Sequence, residues 1–95
     1  MIKFNAVIKK LRIEGNHTQR SLAEKVKITP QYLANVEAGK KNPSFRLIEK
    51  ICKALNVQTE WFFIETINAD DFSGEEKRRV LVAKTTLKHY YERWR

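Results

Sequence analysis

The chain has 95 residues, of which 42% are hydrophobic and 32% charged, a balance typical of one small soluble domain. With 3 glycines and 2 prolines, the composition argues against a disordered chain and against a turn-rich all-β fold. A single cysteine, Cys52, excludes an intrachain disulfide and a cysteine-based zinc site. No apolar run approaches membrane-spanning length and no signal-peptide core is visible, so we expect a cytoplasmic protein without a membrane partner.

The net charge of +8 is unevenly distributed along the chain. Residues 1–60 contain 12 Lys and Arg against 5 Glu, whereas residues 61–95 contain 7 Lys and Arg against 6 Asp and Glu. A basic excess in the N-terminal two-thirds is typical of a protein with a polyanionic partner, most often nucleic acid. A basic domain without such a partner has the same composition.

The first predicted helix lies in "FNAVIKKLRIEGN", where the apolar residues Phe4, Val7, Ile8 and Leu11 have helical spacing. Gly15 supplies the expected helix stop. A second, shorter helix begins after Thr18, a favourable N-cap, in "TQRSLAEKV". Its inner face is expected to consist of Leu22, Ala23 and Val26.

The third predicted helix lies in "TPQYLANVEAGKKNP", with Thr29 as its cap, Pro30 at its first position and an end near Gly39. Leu33 and Val36 point to one side. The opposite side carries the uncharged polar residues Gln31 and Asn35, with Tyr32 on the border. Because so few residues separate the second and third helices, the two must cross steeply, as in a helix-turn-helix.

Two further helices and a C-terminal one complete the pattern. The fourth follows Ser44 and has an apolar stripe in "FRLIEKICKAL"; the fifth starts at Thr59 with "EWFFI". Residues 65–74 are expected to form a linker to a C-terminal helix of roughly twenty residues. That helix has a wide apolar stripe, which must pack on its own domain or on another chain. We expect dimerisation through Val80, Leu87, Tyr90, Tyr91 and Trp94.

Several segments together resemble one known family. "IKKLR" (8–12), "TQRSLAEKV" (18–26), "ITPQYLANVEAGKKNPS" (28–44) and "LIEKICKALNV" (47–57) are similar, in order and spacing, to the lambda-repressor-like, Cro-type helix-turn-helix regulators of the XRE class. The resemblance implies an all-α fold, with a five-helix DNA-binding domain over residues 1–66. Residues 67–95 would then be the linker and the C-terminal helix, outside the shared pattern.

The resemblance also implies a function and the residues that perform it. Such a domain binds double-stranded DNA, usually as a homodimer on a palindromic operator, with the third helix in the major groove. By position, base reading falls to Gln31, Tyr32 and Asn35. Phosphate binding falls to Thr18, Gln19, Lys40, Lys41 and Asn42. A structural salt bridge between the first and third helices falls to Arg12 and Glu37.

Two positions depart from the family pattern. Lys27 stands in the turn where relatives often have glycine, and a left-handed lysine would cost about 1 kcal/mol, so we expect a differently built turn. Pro30 stands where some relatives place a base-reading glutamine. Because proline lacks a side-chain donor, contact there would be apolar, for example with a thymine methyl group.

The sequence contains no catalytic constellation, so we expect neither an enzyme nor a bound metal or cofactor. The favoured interpretation is a transcriptional regulator, with repression as the expected mode, from a bacterium or phage. Two alternatives are an antitoxin whose C-terminal segment binds a protein partner, and a controller protein of a restriction–modification system. The neighbouring genes would distinguish them.

Overall fold

In the computed structural model, which describes residues 4–92 and their side chains to residue 90, the chain folds into six α-helices and one short 3-10 helix. The predicted all-α class, five helices followed by a C-terminal one, is confirmed. No strand occurs in the described part of the chain. The α-helices are α1 (Phe4–Glu14), α2 (Gln19–Val26), α3 (Pro30–Glu37), α4 (Phe45–Ala54), α5 (Thr59–Glu65) and α6 (Gly74–Glu92), and the 3-10 helix is Ala69–Asp71.

Hydroxyl side chains set the start of three helices. Thr18, Thr29 and Ser44 precede α2, α3 and α4, and each side-chain oxygen accepts a hydrogen bond from the backbone N–H three residues later, at 2.9–3.1 Å. Each cap satisfies one of the N–H groups that lack a partner within the helix. These starts are local properties of the sequence, and they lie where the sequence predicted them.

The apolar stripes of α1–α5 meet in one core. α2 packs on α3 and α4, α1 packs on α3, and α5 packs on α4. The largest fully buried side chains come from all five helices: Ile8, Leu22, Leu33, Val36, Ile51, Cys52 and Phe62. This core holds the outer face of α3 at a fixed position on the surface.

Two helix ends differ from expectation. The left-handed residue after α1 is Asn16, with φ of 60°, and not the predicted Gly15. The expectation of a modified turn after α2 is wrong, because Lys27 adopts φ of 61° and ψ of 46°, the left-handed conformation itself. The turn is kept because Ile28 N–H, at 3.0 Å, donates to the Ala23 carbonyl and closes the end of α2.

The segment between α5 and α6 is more ordered than a simple linker, because Ala69 in the 3-10 helix is buried. α6 packs on α5 and on this 3-10 helix. Two lysines of α6 fix the contact: Lys84 Nζ donates to the Ile67 carbonyl at 2.6 Å, and Lys77 Nζ lies 3.0 Å from an Asp70 carboxylate oxygen. α6 is about 28 Å long. Within residues 4–92, no helix combines the length and apolar character needed to cross a membrane.

Candidate nucleic-acid interface

The outer face of α3 carries an exposed pair of amides. Leu33 and Val36 are fully buried on the inner face, so Gln31 and Asn35 are turned outward. Gln31 Nε2 donates to Asn35 Oδ1 at 3.2 Å. The bond leaves the Gln31 carbonyl oxygen and the Asn35 amino group available, so the pair presents an acceptor and a donor one turn apart.

Tyr32 lies at the edge of this face. Its ring is half-buried against the core, and it lines a shallow depression that also includes Arg46 and Lys50 of α4. The structure therefore places Tyr32 between the amide pair and a basic surface.

The predicted phosphate-binding loop follows α3 directly. Gly39 has φ of 79°, and the N–H groups of Lys40 and Lys41 both donate to the Asn35 carbonyl, at 2.9 and 3.3 Å. These bonds close the end of α3 and hold the loop against it. Lys40, Lys41 and Asn42 are all exposed beside the amide pair, so their side chains can reach a phosphate next to whatever α3 contacts.

A buried ion pair joins α1 to α3. Arg12 Nε and one terminal guanidinium nitrogen donate to the two carboxylate oxygens of Glu37 at 2.7 and 3.0 Å. The other terminal nitrogen donates to the His17 carbonyl at 2.9 Å. The pair is bidentate and its side chains are 10% and 2% exposed, so each charge is compensated where water is excluded.

Gln19 is tied to the same ion pair. Its Nε2 donates to a Glu37 carboxylate oxygen at 3.1 Å, which orients the half-buried amide at the start of α2. The second N–H on that nitrogen can still donate. Beside it, the exposed Thr18 Oγ1 accepts from Ser21 N–H, which leaves the hydroxyl proton free for another acceptor. The sequence identified the residues, but the link from Gln19 to Glu37 was not predicted.

The predicted dimerisation residues fall into two groups. Val80 is half-buried, whereas Leu87 and Tyr90 are exposed on α6. The side chains of Tyr91 and Trp94 lie outside the described residues. Two further exposed apolar residues of α6, Leu81 and Val82, were not among the predicted set.

Cys52 belongs to the core. It is 1% exposed, and burial raises the pKa of its thiol to about 11. The thiol is therefore protonated at neutral pH and acts as a small apolar side chain.

The family model for helix-turn-helix proteins matches residues 8–62, more than half of the chain. The immunity repressor protein of Bacillus phage phi105 is 37% identical over 75 residues, which cover 74% of this chain and 52% of the repressor. The chain thus spans about half the length of that relative.

Solved structures give the same result for the fold. The clp gene regulator ClgR from C. glutamicum is 31% identical with a TM-score of 0.64, covering 67% of this chain and 82% of ClgR. The restriction-modification controller protein C.Esp1396I is 34% identical with a TM-score of 0.63, covering 67% of this chain and 84% of that protein. A second ClgR structure, at 23% identity and a TM-score of 0.63, covers 93% of this chain, so the likeness of fold extends into α6.

Proposed function

The chain belongs to the XRE-type helix-turn-helix family, and on that premise we propose that it is a transcriptional regulator that binds double-stranded DNA sequence-specifically. In this mode of binding α3 lies in the major groove and its outer side chains contact base edges. The observation that carries the proposal is the exposed Gln31–Asn35 amide pair, on a helix whose other face is fixed by Leu33 and Val36.

The chemistry of the amide pair suits base reading. An Asn or Gln amide offers a donor and an acceptor together, which matches N6 and N7 of adenine in the major groove. In the free protein Gln31 and Asn35 use one group each on one another, so reading a base exchanges their mutual hydrogen bond for bonds to DNA. Tyr32 contributes from the edge of the same face, and Pro30 offers an apolar contact.

Phosphate contacts would come from both sides of α3. Lys40, Lys41 and Asn42 follow its end, while Thr18 and Gln19 begin α2 and have donor hydrogens available. Lysine ammonium groups bind phosphate without distinguishing bases, so these residues would fix the register while the amides select the sequence.

The active form is a homodimer on a palindromic operator, with α6 as the main interface. Leu87 and Tyr90 are exposed on that helix and Val80 is half-buried, which supports an apolar contact between copies. Similarity to a phage immunity repressor supports repression as the mode of action in a bacterium or its phage, and the site of action would be the cytoplasm. A protein partner at α6 is the alternative to a second copy.

Selection of bound duplexes from a random DNA pool tests the proposal. We expect an enriched sequence with two inverted half-sites. An unenriched pool would contradict sequence-specific binding.

Alanine variants then test the roles of individual residues. On the selected site, Gln31→Ala and Asn35→Ala should each cost about 1–3 kcal/mol of binding free energy, with little effect on random DNA. Lys40→Ala and Lys41→Ala should weaken both duplexes equally and reduce the salt slope by about 0.9 for each lost contact. The opposite division of effects would show that α3 is not the reading helix.

A further inference from the structure

A second basic surface lies beside α3. A depression of about 540 Å³ between the end of α2 and α4 is lined by Lys25, Lys27, Lys50 and Lys53 above Val26 and Ala54. A smaller depression of about 210 Å³ shares Val26, Lys27 and Lys50 with it and continues to Arg46 and Tyr32. Because the two share lining residues, they form one groove, called here the basic groove: Lys25, Lys27, Arg46, Lys50 and Lys53.

The charges of the basic groove are uncompensated within the chain. All five side chains are exposed, and none has a carboxylate within 4 Å among the described residues. No described carboxylate lines either depression. By contrast, Lys10, Arg12, Arg20 and Lys77 each have an acidic partner.

Helix electrostatics account for only part of this arrangement. Lys25 and Lys53 lie in the last turns of α2 and α4, where cations stabilise the helix dipole. Arg46 lies in the first turn of α4, where a cation is unfavourable, and Lys50 follows it at i+4, a like-charge pair that destabilises a helix. Lys53 adds a third cation on the same face. A polyanion bound there would reverse each of these unfavourable interactions.

Lys27 adds an independent observation. It occupies a left-handed position, φ of 61°, which glycine adopts without strain. The strained residue is a lysine that lines both depressions of the basic groove.

We propose that the basic groove binds the phosphodiester backbone of DNA flanking the half-site that α3 reads; this inference rests on the proposed function. Continuity through Tyr32 connects the groove to the reading face. No buried polar side chain lines the groove, and exposed lysines interact with phosphate as mobile point charges. Such a surface suits an extended backbone better than a small ligand, which would need fixed donors. The operator contact therefore extends beyond the bases read by α3.

The test compares two duplexes that share the selected site. The short duplex contains only that site, and the long one adds about one helical turn, roughly ten base pairs, at each end. Affinity of the full chain for each is measured over a salt series. We expect the wild-type salt slope to be steeper on the long duplex, by about 0.9 for each additional phosphate contact.

A charge-matched pair of double variants assigns that difference to the groove. Lys50→Gln with Lys53→Gln should abolish the difference between duplexes while leaving binding to the short duplex nearly unchanged. Lys9→Gln with Lys88→Gln removes the same charge from exposed positions outside the groove, and it should retain the difference. A groove variant that keeps the wild-type difference would overturn the inference.

Lys27→Gly separates the backbone effect from the charge effect. Relief of the left-handed lysine should raise Tm by about 3 °C, while the slope on the long duplex becomes shallower by about 0.9. An unchanged slope for this variant as well as for the double groove variant would overturn the inference a second way.

Inorganic tripolyphosphate tests the other source of phosphate. Saturable binding that the double groove variant removes, together with equal wild-type slopes on both duplexes, would assign the groove to a free polyphosphate and overturn its assignment to DNA. Wild-type protein that shows no preference for the selected site would instead refute the proposed function. Failure of the groove alone leaves specific binding to the short duplex intact, so the two failures are distinguishable.

Discussion

The five-helix domain and α6 treat their apolar side chains in opposite ways. In α1–α5 the apolar stripes converge on one core, and the buried Arg12–Glu37 pair has its hydrogen bonds made within the chain. In α6, Leu81, Val82, Leu87 and Tyr90 remain exposed, and the helix packs only on α5 and the 3-10 helix among its main contacts. Stability therefore resides in the domain, while α6 offers surface for assembly.

The largest effect is expected from breaking the buried ion pair in the domain. Glu37→Ala leaves the Arg12 guanidinium without its bidentate partner in a site that water barely reaches, and it also removes the acceptor of Gln19. We expect the free energy of unfolding to fall by about 3 kcal/mol, measured by urea denaturation.

Two comparisons isolate the interaction. Adding Arg12→Ala to Glu37→Ala should recover part of the loss, and strictly additive losses would show that the two groups do not interact. The exposed Arg20–Glu24 pair, at 3.7 Å, is the matched control: Glu24→Ala should change stability by less than about 0.5 kcal/mol.

In α6 the expected effect is on assembly. Leu87→Glu places a charge in the proposed apolar interface, so the dimer dissociation constant should rise about a hundredfold, equivalent to about 2.7 kcal/mol, with Tm of the domain little changed at low protein concentration. Analytical ultracentrifugation over a concentration series measures it.

Neighbouring substitutions on the same helix sharpen that result. Thr86→Glu adds the same charge at the adjacent exposed position and should leave the dimer nearly intact. Truncation after Ser73 should give mostly monomer at micromolar concentration. A fully dimeric truncated chain would move the interface from α6 to the domain.

A smaller effect is expected from the buried thiol of Cys52. Its pKa is about 11 in the folded chain, raised from an ordinary 9.0 by burial. The unfolded chain therefore loses this proton first, and the associated stability is fully present below pH 9 and lost as pH rises through 11. We expect a loss of about 2 kcal/mol across that window, measured by denaturation at each pH.

The control for this pH dependence is Cys52→Ala, which keeps every lysine and tyrosine that titrates in the same range. Stability of the variant should fall less steeply between pH 9 and 11 than that of the wild type. Parallel curves would show that the thiol ionises equally in both states.

The sequence alone determined the helices and the residues of the reading face. Thr18, Thr29 and Ser44 cap the helices they precede, and the apolar spacing in α1 to α4 predicts which faces are buried, because both depend on residues within one or two turns. The family resemblance added the Arg12–Glu37 pair, which the structure places at 2.7 Å. Local rules were insufficient at helix ends, where Asn16 took the left-handed role expected of Gly15.

Only the tertiary structure decided how distant residues combine. Gln19 and Glu37 are 18 positions apart, and their bond depends on α1, α2 and α3 packing together. Lys25 and Lys27 meet Lys50 and Lys53 only because α2 packs on α4, so a groove without a carboxylate arises from two segments that look ordinary separately. Helix periodicity assigns a side chain to a face, but long-range packing decides which faces share one surface, and therefore which charges act on the same ligand.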